Sequence, residues 1–386
     1  MLLVLIVLCL LPQNQPVCIS PTANSSPLLS AILSHNLRLH LTGNQFISYF
    51  SMISKISFYS AVASVLTQAV YGIPYSSRQS LRVESFINQG ITGFNVVSSL
   101  IIGSETAVLI DMPMSIPSAN VLASWIRNQT DKPLVAAFAT HHHVDHYLGA
   151  STLLSHFNET AFYASGKVVD HIRVELPEMT SRMRLAFGPE NVSEVPASPI
   201  AYNNTFFTLS GHEDEPIHLI SNLVFDTVDG TMFWIPSLRT LIAGDSVYHR
   251  TMHLWMADMD TKALSDAWLK TLDFITNLRP VKLITGHAGT LQFSAQEDIA
   301  HTRSYIEFFE KEISSKGKDF YTPKEIVDIM SAGFPAQLQS EGGVASEMFL
   351  NNTAEKYGRG STRLPDVLDM TKYNDTRTLQ GWELKA

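Results

Sequence analysis

The chain has 386 residues, with 27 Lys and Arg against 36 Asp and Glu, for a formal net charge of -9. That balance argues against broad nucleic-acid binding, and a composition 45% hydrophobic and 16% charged argues against long disorder. The two cysteines, Cys9 and Cys18, both lie near the start, which excludes a disulfide framework, a zinc finger or a cysteine nucleophile in the body of the chain.

Met1 to Pro12 is apolar but carries no Lys or Arg. It is too short to span a bilayer and lacks the basic flank of a secretory signal. A better signal begins at Met52, with Lys55 before the apolar run Ile56 to Leu66 and Thr67-Gln68-Ala69 as a cleavage site. This predicts a leader over 1–72, with the signal at 52–69, the natural start at Met52 and residues 1–51 not native. Asn-x-Ser/Thr acceptors stand at Asn24, Asn128, Asn158, Asn191, Asn203, Asn351 and Asn374. That is about twice the chance number and agrees with a glycosylated, secreted protein without a stable membrane anchor.

In the body, Phe94 to Ile102 and Glu105 to Asp111 read as a hairpin turning at Gly103-Ser104. Ser115 to Gln129 reads as a helix with Pro117 near its start, and Leu134 to Ala139 as a short strand. Met232 to Ile235 and Leu241 to Ala243 read as paired strands around Pro236-Ser237. Thr261 to Leu278 has helical periodicity, with Leu264, Trp268, Leu272 and Ile275 on one face. Lys282 to Ile284 reads as a strand, the stretches 294–315, 323–332 and 345–357 as helices, and the last 25 residues as a polar tail.

Residues 140–146 read Thr-His-His-His-Val-Asp-His. Four ligand-competent side chains so close together are costly to bury without a metal, and imidazoles with a carboxylate suit zinc or a similar divalent ion. On an extended segment, i and i+2 point the same way, so His141 and His143 can grip one ion. His142 must point elsewhere. Asp145 and His146, at the following turn, can face a second ion.

The pattern His141-x-His143-x-Asp145-His146 after a strand resembles the signature of the metallo-β-lactamase fold superfamily. Ile242-Ala243-Gly244-Asp245 is similar to its strand ending in a metal-bridging Asp, and Ile284-Thr285-Gly286-His287 to its last metal-binding motif. The resemblance covers about 80–300. It implies a four-layer αββα sandwich over 80–293, with a C-terminal helical extension and tail over 294–386. It also implies metal ligands at His141, His143, Asp145, His146, Asp245 and His287, and zinc as the ion, one or two per chain, with manganese or iron as alternatives.

The block from Asp226-Thr227 through Trp234-Ile235-Pro236-Ser237 and Ala243-Gly244-Asp245-Ser246-Val247-Tyr248 to His253-Leu254 resembles one hydrolase-like subgroup. There a His completes the first metal site, and without gaps its position falls on Val224. Asp226, His212 or His218 could replace it. The reading adopted leaves the place unfilled and the first site weak or empty, with about one metal per chain. His253 matches a pocket histidine of the subgroup. Tyr248, Trp255 and Trp268 read as packing residues, and His156, His171 and His301 as solvated.

The resemblance implies a hydrolase that attacks an ester, lactone, thioester or amide of a small-molecule substrate with a metal-bound hydroxide, and the leader makes it a secreted one. Asp145 would orient the water, and the metal or His253 would stabilise the oxyanion. The alternative is a non-catalytic binding protein on a partly decayed site, for which Val224 is the argument.

Overall fold

A computed structural model describes residues 80–338, 343–361 and 366–375. The leader reading over 1–72 and the acceptor Asn24 lie outside them.

The first sheet has six strands in spatial order, each beside the next: β1 (Arg82–Asn88), β2 (Val96–Ile102), β3 (Ala107–Ile110), β4 (Leu134–Phe138), β5 (Ala161–Ala164) and β6 (Ile200–Ala201). β1, β2 and β3 pair antiparallel, and β3 to β6 pair parallel. The parallel steps are bridged by α1 (Ile116–Gln129), α2 (Ala150–Ser155) and α3 (Gly166–Phe187). Ser115 caps α1 by accepting from the Ser118 amide, with Pro117 in the first turn. The second sheet contains β7 (Phe206–Phe207), β8 (Ile217–Leu223), β9 (Gly230–Ile235), β10 (Thr240–Gly244) and β11 (Lys282–Thr285), in the order β11-β10-β9-β8-β7. Only its β10–β11 pair is parallel, and the long crossover between them carries α4 (Lys262–Leu278).

Alternation along each strand sorts the core into layers. Val97 and Ile101 of β2, Val108 and Ile110 of β3, and Phe138 of β4 face inward and meet Ile217, Leu219, Phe233, Ile235, Ile242 and Ile284 of the second sheet. Leu100, Ile102 and Leu109 face outward with Ala119, Leu122 and Ile126 of α1, and Leu241, Ala243 and Leu283 face outward with Leu264, Trp268 and Leu272 of α4. The result is the helix–sheet–sheet–helix sandwich implied by the resemblance.

The C-terminal part forms α5 (Ala295–Glu312), α6 (Pro323–Gly333) and α7 (Gly343–Tyr357). Phe309, Ile313, Ile326, Phe349 and Tyr357 from these segments belong to the same apolar cluster as α4. Two expectations need correction. Phe94 and Asn95 have φ values of 52° and 58°, so they form a tight turn and the strand starts only at Val96. Residues 366–375 are not a loose tail: Met370 is buried, and Leu368 and Tyr373 pack on the main core. Three apolar side chains outweigh the polar average of that segment.

Candidate metal centre

The two sheets meet at one edge, where Val96 bridges His287 and the Val97 amide donates to the Gly286 carbonyl. The chain ends of β4, β10 and β11 open onto this edge, and each delivers ligands there. After β4, His141 lies in a bend and His143 in extended backbone, and Asp145 and His146 follow in a short 3-10 turn over Val144–His146. β10 delivers Asp245 after Gly244, whose φ is 52°. β11 delivers His287 after Gly286, where a Cβ would lie 1.8 Å from an Asp245 carboxylate oxygen. Only glycine at 286 lets that carboxylate lie beside His287.

All six ligand residues named from sequence converge here. His146 Nε2 lies 3.3 Å from Asp245 Oδ1 and 3.2 Å from His287 Nε2. His287 Nε2 lies 3.0 Å from Asp245 Oδ2 and 3.4 Å from Asp145 Oδ2. The His141 ring is 4.2 Å from that of His146 and 4.7 Å from that of His143.

Asp226 corrects the expectation of an unfilled place. Its Oδ2 is 3.3 Å from His143 Nδ1 and its Oδ1 is 4.0 Å from His141 Nε2, so the three residues could hold a metal ion together. The chain is no longer a strand at this point, so positions 224 and 226 do not share a face. β8 ends at Leu223 after a register shift with Asn222 at φ 61°, and 225–229 is a series of bends. Val224 therefore points into the apolar core, and the turn carries Asp226 to the metal edge. His212 is held elsewhere, accepting from the Ser104 amide and pairing with Glu215, and His218 sits on β8 opposite Phe206.

The imidazoles are oriented from behind. His146 Nδ1 bonds Asp111 at 2.9 Å, His287 Nδ1 donates to the Phe94 carbonyl at 2.7 Å, and His143 Nε2 bonds Asp258 at 3.0 Å. Asp111 also accepts from the Thr140 amide and hydroxyl, which ties the ligand loop to the end of β3. With their Nδ1 atoms so committed, His146 and His287 turn Nε2 toward each other, and with a cation between them both rings would be neutral and offer it their Nε2 lone pairs. His141 Nε2, Asp226 Oδ1 and Asp245 Oδ1 are buried with no hydrogen-bond partner. Divalent cations would satisfy these atoms, and the groups His141–His143–Asp226, His141–His146–Asp245 and Asp145–His146–His287 each offer a donor set that fits one.

Electrostatics follow the same geometry. Burial pushes Asp226 up to about 7, only partly opposed by the His143 charge. Burial also raises Asp245, but His287 and His146 outweigh it and hold this carboxyl well below its usual range. Burial, then the neighbouring His146 and His143, keep His141 low. Burial raises Asp258 too, yet its bond to His143 prevails and holds it at about 2.

Other residues fall differently from expectation. His253 does not reach this edge. Its ring is buried against Tyr305, whose hydroxyl lies 3.0 Å from Nδ1, because the chain after β10 runs beneath α5 and α7. Tyr248 is more than packing: its hydroxyl lies 2.8 Å from Asp226 and 2.7 Å from Asp245, and its ring stacks on His287. Trp255 lines the cleft, whereas Trp268 is a core residue donating to the Ser246 carbonyl. His142 lies between Glu175 at 2.6 Å and Thr227 at 2.9 Å, pinning the turn that carries Asp226. His171 pairs with Asp229, and His301 bonds the Met252 carbonyl, so neither is simply solvated. Asp111 and Asp258 were not anticipated. An acid closing the apolar strand Ala107–Ile110 is a usable signal for the first, whereas the second has no local signal.

Among the described residues no helix is long and apolar enough to cross a membrane. No curated protein sequence matches the chain. The solved structure of TMB-1 is similar, with 20% identity over 59% of this chain and 98% of that one, at a TM-score of 0.39. DIM-1 metallo-β-lactamase, in crystals exposed to ceftazidime, is 18% identical over 60% of this chain and 98% of that one, at a TM-score of 0.38. A metallo-β-lactamase from Pontibacter korlensis is 18% identical over 60% of this chain and 96% of that one, at a TM-score of 0.40. The family model described as the metallo-β-lactamase superfamily matches residues 91–287, just over half of the sequence, and the chain belongs to that superfamily.

Proposed function

We propose that the protein is a secreted metal-dependent hydrolase acting on a carbonyl-type bond, namely an ester, lactone, thioester or amide, of a small molecule. The observation that carries this reading is the convergence of three unpartnered buried atoms, His141 Nε2, Asp226 Oδ1 and Asp245 Oδ1, beneath a cleft that Asp226 and Asp245 line. His141, His143, Asp226 and Asp245 would hold one divalent ion, and Asp145, His146, His287 and Asp245 a second, with zinc first and manganese or iron as alternatives. Such an ion supplies Lewis acidity toward a carbonyl oxygen and an activated water at neutral pH.

The chain's own residues do the rest. The Asp145 carboxylate faces the cleft and can hold a proton of the attacking water. Burial, together with the Asp226 and Asp245 charges, keeps Tyr248 protonated, so its one hydroxyl proton is shared between the two carboxylates it sits beside. Trp255 and Phe349 exclude bulk solvent from the opposite side. The non-catalytic alternative rested on the imidazole missing at position 224, and the place of Asp226 beside His141 and His143 weighs against it.

The exposed acceptors Asn128, Asn158, Asn203, Asn351 and Asn374 support passage through a glycosylating compartment. N-terminal sequencing of the exported protein tests this, and a mature chain starting before residue 52 overturns the signal assignment. For the activity, the test is hydrolysis of chromogenic esters, lactones, thioesters and lactams with zinc, manganese or iron. Turnover that is lost in His146→Ala is expected. A panel untouched by wild type, or cleaved equally by His146→Ala, overturns the proposal.

A further inference from the structure

The cleft of about 550 Å³ beside the ligands has two unlike halves. One is the ligand cluster. The other is built by Met179, Met183 and Phe187 of α3, Phe94 of the β1–β2 turn, and Met348 and Phe349 of α7. Phe349 stands at the junction, its ring 4.7 Å from that of His287, 6.1 Å from those of Tyr248 and Trp255, and 6.2 Å from that of Phe94. Leu368 closes the same wall from the segment after α7. Methionines beside aromatic rings make an apolar surface that adapts to a flexible chain.

The charged side chains at the rim already have partners. Arg182 donates to Glu178 at 2.8 Å, and Lys356 contacts Asp366 and stands 3.7 Å from Asp260. Glu175 is held by His142, and Asp258 by His143 and the Trp255 indole. A carboxylate entering the apolar half would lose its water without gaining an uncommitted cation.

We infer that the cleft takes an uncharged carbonyl compound with a flexible, unbranched apolar chain, seated between Phe349 and the α3 methionines, and that it discriminates against a carboxylate at the far end of that chain. This rests on the hydrolase reading for where the carbonyl sits, but its test does not need turnover.

Calorimetric titration of the zinc-loaded full chain with butanamide, hexanamide and octanamide is expected to show binding about twofold to fourfold tighter per added methylene. The eight-carbon monoamide ending in a carboxylate should bind about tenfold more weakly than octanamide, or worse. Phe349→Ala should weaken octanamide about tenfold and butanamide far less. Because Phe349 is buried, Met183→Ser on the partly buried wall of α3 is measured beside it, with about fivefold weaker octanamide binding expected and its melting temperature read alongside. A flat chain-length series, carboxylate binding as tight as that of octanamide, or unchanged octanamide affinity in Met183→Ser overturns the inference. If octanamide binds as expected but no ester of the panel is hydrolysed, the hydrolase reading falls and this one stands. If esters are hydrolysed while the amide series is flat, the reverse holds.

Discussion

The metal edge and the region beneath the C-terminal helices are both rich in buried histidine, and they differ in what faces the ring nitrogens. At the edge, His141, His143, His146 and His287 meet the carboxylates of Asp145, Asp226 and Asp245. Beneath the helices, His249 is bounded by the Thr251 hydroxyl and the Gln292 carbonyl, His301 by the Met252 carbonyl, and His253 by the Tyr305 hydroxyl. The nearby Asp298 carboxylate is committed to Arg250 at 2.8 Å. Neutral partners keep an imidazole neutral and packed, whereas converging carboxylates with unpartnered oxygens require a cation. The difference lies in the neighbours, not in the histidines themselves.

The largest effect should come from removing the carboxylate shared by both halves of the edge. Asp245→Ala is expected to lower metal content, read by mass spectrometry after dialysis, from about two ions per chain to less than about 0.2. His287→Ala should weaken the second site by about tenfold or more. Unchanged metal content in either variant would place the site elsewhere.

The next test separates Asp226 from Val224. Asp226→Ala should drop the content from about two ions to about one. Val224→His should add no metal and cost about 2 kcal/mol of stability, because it places a polar ring in the apolar core. If wild type binds one ion and Val224→His raises this to two, Asp226 is not a ligand and the unfilled first site is restored.

A smaller effect belongs to the second region. Burial lowers His253 and His301 to about 4, against an unfolded value of about 6.5. As pH falls from about 6.5 the unfolded chain takes up protons that the folded chain refuses, so stability is full above that range and is lost toward pH 4. The two histidines together should lose about 5 kcal/mol, read from denaturant midpoints of metal-stripped protein at pH 7 and pH 4.5. His253→Phe should lose about half as much. An equal loss in that variant would assign the acid sensitivity to other groups.

The smallest effect sharpens the contrast most. His253→Asn should lower the melting temperature by about 4 °C and leave turnover within about twofold of wild type. A hundredfold fall in turnover with an intact fold would bring His253 back to the chemistry.

Much of this molecule was legible locally. The hairpin around Gly103-Ser104, the helix after Ser115 and the strands at 230–235, 240–244 and 282–285 follow from alternation, capping and turn residues, which are properties of neighbouring side chains. The long helix α3 was not read as such, since Pro177 interrupts its pattern, and that helix supplies half of the cleft's apolar wall. Asp258 and Tyr248 were invisible as site residues because their roles depend on partners brought from other strands and loops.

By itself, the sequence determined the ligand types and their order: two imidazoles at i and i+2, a carboxylate and imidazole at the following turn, then Gly-Asp and Gly-His after apolar strands. Those are decided by short-range backbone geometry, which a few residues carry. Tertiary structure alone decided which side chains complete the set. A register shift at the end of β8 turned Val224 inward and Asp226 outward, the path after β10 buried His253 beneath α5 and α7, and the folding of α7 over the edge set Phe349 beside His287. Each outcome depends on where the chain bends relative to distant elements, and side-chain direction changes with every residue of shift.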